Sequence, residues 1–422
     1  MKDAKILRIG IFCLILLEAI INQAEATGFR IPDQSPRAIG QTDAFVAQAD
    51  DPSAIHYNPA GLVQSEGTHS LIGCSLAMPE AKHKSLSGER EDSLREEYFP
   101  FFAYISSDLG SDSLRFGLGV NTPYGMGSEW SKTGFSRYWS TKAEMNLINI
   151  NPTIAYQITP ELSVGTGIDY YYSELINDRQ VDFGALIGMS GGMDGSFHSK
   201  GYGDGWGYNA GLLYRPSPRH SLGLTFRSGA EISYHGNARI RSIPSFLSSI
   251  PELSSRFSTE IDLPPQAAFG YAFYPIPELK LEFDIDWTGW KTFRQLTVDF
   301  NDNSPFFEDQ TIKKDWHNTM FYSLGAEYQI IDHLTIRSGV GFMESPIPES
   351  TFDTTVVRTK QYAFSVGAGY DNYPLKLEFA CLAALGEERR IENTVGSEVG
   401  ADLSGDYRNN NYLVSVGGSY AF

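Results

Sequence analysis

Residues 279–287 read Leu279-Lys280-Leu281-Glu282-Phe283-Asp284-Ile285-Asp286-Trp287. On an extended chain, Leu279, Leu281, Phe283, Ile285 and Trp287 share one face, and Lys280, Glu282, Asp284 and Asp286 share the other. The period is that of a strand, not a helix. The same alternation sets Tyr362, Phe364, Val366, Ala368 and Tyr370 against Ala363, Ser365, Gly367 and Gly369. It also sets Leu162, Val164, Thr166, Ile168, Tyr170 and Tyr172 against Ser163, Gly165, Gly167, Asp169, Tyr171 and Ser173. In a soluble sandwich the polar face would meet bulk water. Here that face is rich in Gly, Ser and acid, and aromatic residues gather at strand ends. This suits a membrane barrel with apolar side chains toward lipid, small and polar ones toward a lumen, and aromatic girdles at the two interfaces.

Working outward, fourteen such segments follow: roughly 68–79, 98–107, 114–122, 144–157, 161–176, 206–215, 221–235, 264–274, 278–300, 316–329, 333–343, 360–370, 375–385 and 411–422. An even count is expected of a single-chain bacterial barrel. Short turns such as Asp108–Ser113, Thr159–Pro160, Pro216–His220 and Ile330–Asp332 alternate with long loops at 177–205, 236–263, 344–359 and 386–410. That is the asymmetry of periplasmic turns and extracellular loops. The last segment carries Tyr412, Val414, Val416, Gly418, Tyr420 and Phe422 on one face. A terminal aromatic there resembles the signal read by the outer-membrane barrel assembly machinery, which makes that machinery an expected partner through Phe422.

Composition agrees. The 422 residues include 23 Tyr, 26 Phe, 6 Trp and 41 Gly, with 41% hydrophobic residues and a mean hydropathy of −0.25. The net charge of −18 argues against nucleic acid, since neutralising phosphates needs a basic surface. Beyond the N-terminal segment no apolar run approaches the ~20 residues of a membrane helix. Three Cys exclude a disulfide scaffold.

The first 26 residues read as a cleaved export signal. Lys2, Lys5 and Arg8 precede an apolar stretch from Ile9 to Leu17, and Ala24-Glu25-Ala26 supplies a small-x-small cleavage site. Cys13 leaves with it. Cys74 and Cys381 fall on apolar strand faces as isolated lipid-facing thiols. Residues 27–67 lack alternation and carry short apolar pieces among turn residues. They are expected to form a partly helical hatch inside the lumen, with Asp51 or Ser53 as helix caps. The division is then signal 1–26, hatch 27–67 and all-β transmembrane barrel 68–422. Phe29, an apolar ring at the mature N-terminus, is expected in the lumen near a ligand pocket. Asn58-Pro59-Ala60 is expected to form a tight hatch turn in which the Asn side chain bonds backbone.

The chain resembles the FadL/TodX family of outer-membrane transporters for long-chain fatty acids and aromatic hydrocarbons, over nearly the whole mature length. The marks are Gly28-Phe29, Asp50-Asp51 with Tyr57-Asn58-Pro59-Ala60-Gly61-Leu62, Asn121-Thr122-Pro123-Tyr124-Gly125, Asn151-Pro152-Thr153-Ile154-Ala155-Tyr156, Gly205-Trp206-Gly207-Tyr208-Asn209-Ala210-Gly211-Leu212-Leu213-Tyr214, Leu263-Pro264, Trp287-Thr288-Gly289-Trp290, Tyr322-Ser323-Leu324-Gly325 and Ser345-Pro346-Ile347-Pro348. The resemblance implies a fourteen-stranded barrel, a hatch bearing the Asn-Pro-Ala turn, apolar ligand sites in the extracellular half, and exit through a side opening at a kinked third strand. It places a carboxylate-contacting Arg at Arg179. A second cation, Lys in the family, falls on His317 here, with Lys313 and Lys314 nearby; Arg179 can equally serve an ordinary loop ion pair with Asp178 or Asp182.

From the residues themselves, loop 177–205 offers Phe183, Leu186, Ile187 and Met189, and loop 236–263 offers Phe246, Leu247, Ile250 and Phe257, as apolar capture surface or as mutual packing in a lid. Pro123 cannot donate to a ladder, and Gly125 and Gly127 mark a bend or bulge, so a kink and lateral gap are expected at 121–127. No catalytic constellation, cofactor motif or metal-ligand spacing is present, and Gly201, Gly203, Gly205 and Gly207 lead into a strand rather than a helix. The expected function is passive transport of hydrophobic small molecules across the outer membrane of a Gram-negative cell, by a monomer in contact with membrane lipid and lipopolysaccharide. The alternative is a surface receptor or adhesin barrel without transport.

Overall fold

The computed structural model describes residues 28–244, 253–301 and 306–422; the export segment lies outside the described residues. Among these, fourteen antiparallel strands close into a barrel. They are β1 (Thr68–Lys84), β2 (Phe101–Ser107), β3 (Leu114–Asn121 and Gly125–Glu129), β4 (Lys142–Gln157), β5 (Leu162–Asp182), β6 (Asp194–Ser217) and β7 (His220–Arg227 and Ala230–Arg241). The circuit continues through β8 (Leu253–Leu263 and Gln266–Ile276), β9 (Leu279–Thr288 and Gln295–Phe300), β10 (Gln310–Lys313 and Thr319–Ile331), β11 (Leu334–Met343), β12 (Gln361–Asn372), β13 (Leu375–Gly386) and β14 (Gly405–Ala421). Each pairs with the next in sequence, and β14 returns to β1 in unbroken register from His69↔Ala421 to Lys84↔Asp406. Closure leaves no lipid-facing strand edge, which hydrocarbon could not hydrogen-bond.

The wall is inverted relative to a soluble protein. In β9, Leu281 and Phe283 are exposed on the outside while Lys280, Glu282 and Asp284 are buried inside. Trp206, Ile72 and Phe364 likewise stand outward, as a lipid-facing surface requires. Cys74 and Cys381 are free and sit on this outer face.

Two of the anticipated long loops are largely strand. β5 and β6 pair as far out as Asp182↔Asp194, and β7 and β8 as far as Ile240↔Leu253. These arms extend past the membrane, where no lipid enforces alternation, so the sequence pattern fades although the backbone pairing continues.

Residues 28–67 fill the lumen with two four-residue helices, Pro36–Ile39 and Ala54–Tyr57, and a 3-10 turn, Pro59–Gln64. Ser35 caps the first, its Oγ accepting from the Ala38 amide at 3.3 Å. Asp51 accepts from the Ser53 amide at 2.8 Å, and no side chain caps the second helix. Helices this short have no independent stability, so the wall must hold them. It does so through the charged face of β9. Asp284 accepts from the Phe45 and Val46 amides at 2.8 and 2.9 Å, and Glu282 from the Ala47 and Gln48 amides at 2.6 and 3.2 Å. Lys280 donates to Ala44 O, Gln48 Oε1 and Glu282 Oε2, and Asp286 receives Arg30 at 2.5 Å. At Gly165 and Gly211 the wall lacks the side chains that would collide with Pro59 and Asn58, so the hatch backbone lies flat on it.

Two outcomes check this arrangement. Phe283→Arg puts a charge on the lipid face and should destabilise the barrel by about 2–4 kcal/mol in urea titrations of bilayer-folded protein. Asp284→Ala removes two charge-assisted hydrogen bonds of ~1.5–3 kcal/mol each. Amide exchange at Phe45 and Val46 should accelerate while barrel amides stay protected.

Candidate functional site: two joined cavities and a gap in the wall

The hatch N-terminus organises the site. Gly28 adopts a positive φ of 61°, where its lack of a Cβ lets Trp290 pack onto the backbone. Phe29 is thereby turned into an aromatic cage. Its ring centre lies 4.6 Å from Trp290, 5.6 Å from Trp316, 5.7 Å from Phe293 and 6.3 Å from Tyr124. The breaks in β9 and β10 supply three of these rings: the chain leaves the sheet after Thr288 and before Thr319 and folds Trp290, Phe293 and Trp316 inward.

Above Phe29, toward the extracellular side, an apolar cavity of about 140 Å³ is lined by Met126, Met145, Leu175, Phe257, Ile261 and Phe293 among others. It holds two cations. Lys314 is paired with Asp353 at 2.6 Å. The Arg179 guanidinium lies 5.0 Å from the Phe197 ring, and among the described residues no carboxylate pairs with it. Neither Asp178 nor Asp182 takes it: Asp178 binds His198 at 2.6 Å, and Asp182 binds loop amides and Ser190.

Beside the hatch lies a second cavity of about 330 Å³ that shares Met126 and Met145 with the first. It runs from the lumen residues Arg30, Ile31 and Asp33 to the outward residues Met78, Phe99, Ile148 and Tyr412. The wall is interrupted here. β2 pairs with β3 only as far as Phe102↔Asn121. β3 then bulges, with Thr122, Pro123 and Tyr124 opposite two residues of β4, and resumes at Gly125↔Asn146. From Gly125 to Glu129, β3 has no ladder pair on its β2 side among the described residues; a bond from Leu94 N to Glu129 O at 2.8 Å closes the far end. The hatch takes over the freed backbone. Ile31 N donates to Pro123 O at 2.9 Å, Gly125 N to Phe29 O at 3.0 Å, and Gln34 bonds the Thr122 backbone twice.

Electrostatics inside the hatch are those of paired, desolvated groups. Burial pushes the Asp33 carboxyl up to about 6 and lifts Asp43, which receives Tyr57 Oη, well above the usual range. Burial, and then Arg227, hold the His56 ring well below its ordinary value. Asn58 Oδ1 accepts from the Ala60 amide at 3.2 Å, and its Nδ2 donates to Val46 O and Leu212 O at 2.8 and 3.2 Å. The Asn58-Pro59-Ala60 turn is thus tied to both hatch and wall.

Of the residues singled out in the sequence, Phe29, Arg179 and Phe257 line the outer cavity, and Gly125 and Gly127 line the side cavity. Phe183 is fully buried in a cluster with Phe197, Ile240 and Phe307. Ile187 and Met189 are exposed on the loop between β5 and β6. His317 is exposed and faces away from the cavity; Lys314 is the cation there. Phe246, Leu247, Ile250 and the Leu186 side chain lie outside the described residues. Trp290, Phe293, Trp316, Met126 and Met145 carry much of the site without having been singled out as site residues. The Trp287-Thr288-Gly289-Trp290 block, whose Gly and second Trp interrupt an alternating strand read as continuous over 278–300, is the signal from which the cage could have been found.

The sequence profile of the family described as outer membrane protein transport protein (OMPP1/FadL/TodX) matches residues 17–422. The long-chain fatty acid transport protein of Salmonella typhi is 23% identical over 392 residues, 84% of this chain and 86% of its own length. Outer membrane protein P1 of Haemophilus influenzae is 21% identical over 314 residues, 68% of this chain and 67% of its own. A Pseudomonas aeruginosa FadL homologue superposes with a TM-score of 0.84 at 19% identity, over 94% of this chain and 100% of that one. The Ralstonia pickettii toluene transporter TbuX gives 0.69 at 16% identity, over 92% and 98%. With the barrel, the lumenal hatch and a profile match spanning nearly the whole sequence, this chain belongs to the OMPP1/FadL/TodX family of outer-membrane transport proteins.

Proposed function

We propose that this protein carries long-chain fatty acids or hydrocarbons passively across the outer membrane. The ligand enters the extracellular-side cavity, the hatch N-terminus shifts, and the ligand leaves sideways into the bilayer at the β3 bulge. The observation that carries this reading is the adjacency of two apolar spaces: the cavity above Phe29 and the cavity at the unpaired stretch of wall at 122–127 share Met126 and Met145 as their common lining. An apolar ligand gains from leaving there, at ~25 cal/mol per Å² of apolar surface kept from water.

The hatch couples the two ends of this route. Phe29 floors the first cavity, and its carbonyl accepts from Gly125, at the mouth of the second. A ligand that displaces the Phe29 ring pulls on the bonds to Pro123 and Gly125. The Asn58-Pro59-Ala60 turn anchors the rest of the hatch, so the movement stays local. The desolvated Arg179, which has no carboxylate partner among the described residues, supports a carboxylate-bearing ligand.

Two experiments test this. Gly125→Trp should abolish uptake of labelled palmitate by cells carrying the protein, with heat-resistant gel migration of the barrel unchanged; unimpaired uptake would remove lateral exit. Arg179→Ala should weaken fatty-acid binding by about 1.5–3 kcal/mol, roughly tenfold or more. Binding of an uncharged alkane should be unaffected; equal losses for both ligands would show that Arg179 serves packing rather than carboxylate recognition.

A further inference from the structure

The second cavity opens outward between two edges of very different character. On the β3 edge Gly125 and Gly127 present no side chain, while Tyr124 and Met126, which also line this cavity, turn to the lumen beside Phe29 and Met145. The opposite edge is the segment entering β2, with Tyr98, Phe99 and Pro100. Phe99 points outward and is exposed. Tyr98 points across the gap: its phenol takes the space that a Cβ on Gly127 would fill, and it lines this cavity together with Gly127.

We propose that the Tyr98 side chain is the gate of the side opening and sets the girth of the ligand that can leave through it. This rests on the lateral-exit reading above. The main chain at Tyr98 is fixed, so only the side chain needs to move. Tyr98 and Ala77 of β1 exchange backbone hydrogen bonds at 2.8 and 3.0 Å, and Ser75 N donates to Pro100 O at 2.9 Å. The phenol hydroxyl donates to a Glu96 carboxylate oxygen. The other oxygen of Glu96 receives Lys142 at 3.3 Å, and Lys142 also reaches Glu129 of β3 and Glu144 of β4 at 3.8 and 2.9 Å. This charged cluster latches the ring from the extracellular end, and the latch is one hydroxyl–carboxylate bond that a side-chain rotation can break.

The consequence is selection by cross-section. A linear acyl chain passes beside Gly125, where no side chain stands. A fused-ring hydrocarbon is wider and requires the phenol to withdraw from Gly127. Tyr98 therefore discriminates by steric opposition rather than by attraction.

The test compares uptake of palmitate and of pyrene by cells carrying the full chain as parent, Tyr98→Ala, Tyr98→Phe or Gly125→Trp. Barrel assembly is checked by heat-resistant migration. Tyr98→Ala should raise the pyrene-to-palmitate uptake ratio by roughly fivefold or more, with palmitate uptake retained. Tyr98→Phe keeps the ring but loses the latch and should raise the ratio by a smaller factor. Gly125→Trp should stop both ligands. If Gly125→Trp stops both and neither Tyr98 variant changes the ratio, Tyr98 is not the gate and lateral exit stands. If Gly125→Trp leaves uptake intact, lateral exit and the gate fall together. A Tyr98→Ala chain that assembles but loses both ligands equally has lost a structural contact, which also overturns the proposal.

Discussion

Inside a bilayer every backbone N–H and C=O must find a partner within the protein, and this one requirement shapes the molecule. Thirteen sequential pairings and the β14–β1 seam meet it around the barrel. The stretch from Thr122 to Glu129 departs from it on its β2 side, and at Thr122, Pro123 and Gly125 the hatch supplies bonds through Phe29, Ile31 and Gln34. Wall and hatch are in this sense one hydrogen-bonded system: the wall can be incomplete at β3 because the lumen holds a segment that completes it.

The second organising feature is the charged inner face of β9. Buried ions are costly unless their lone pairs and protons are met. Glu282 and Asp284 each accept from two hatch backbone amides, and Lys280 donates to the Ala44 carbonyl, to Gln48 Oε1 and to Glu282. Backbone partners are indifferent to the hatch side chains but demanding of its path, so these charges fix where the segment runs. Arg179 stands in contrast: a cation in an apolar cavity with an aromatic ring and, among the described residues, no carboxylate beside it.

Much of this was legible in the sequence, for identifiable reasons. Strand number and closure follow from period-2 alternation between turn residues, which lipid on one side and a lumen on the other impose on each strand. The lumenal direction of Asp284 and Asp286 follows from the same pattern. What was not legible has no local signature. The pairing of Phe29 with Trp290 and Trp316 joins residues more than half the chain apart. The long hairpin arms beyond the membrane lose the apolar outer face because water, not lipid, meets it, while the inner face packs on Phe183, Phe197 and Ile240. His317 and Lys314 lie within one irregular stretch between the halves of β10, where a shift of a few positions turns a side chain from cavity to solvent.

The seam between the first and last strands also dictates an order of events in biogenesis. The hatch immediately precedes β1, and its docking partners run round most of the wall: β5, β6, β7, β9 and β10 bond it, and β12, β13 and β14 pack against Thr42 and Ile39. Once β14 has zipped along the length of β1, the lumen is sealed, and a segment rich in buried ion pairs would have to thread back through a filled interior. A hatch laid against the sheet before β14 meets β1 avoids that passage.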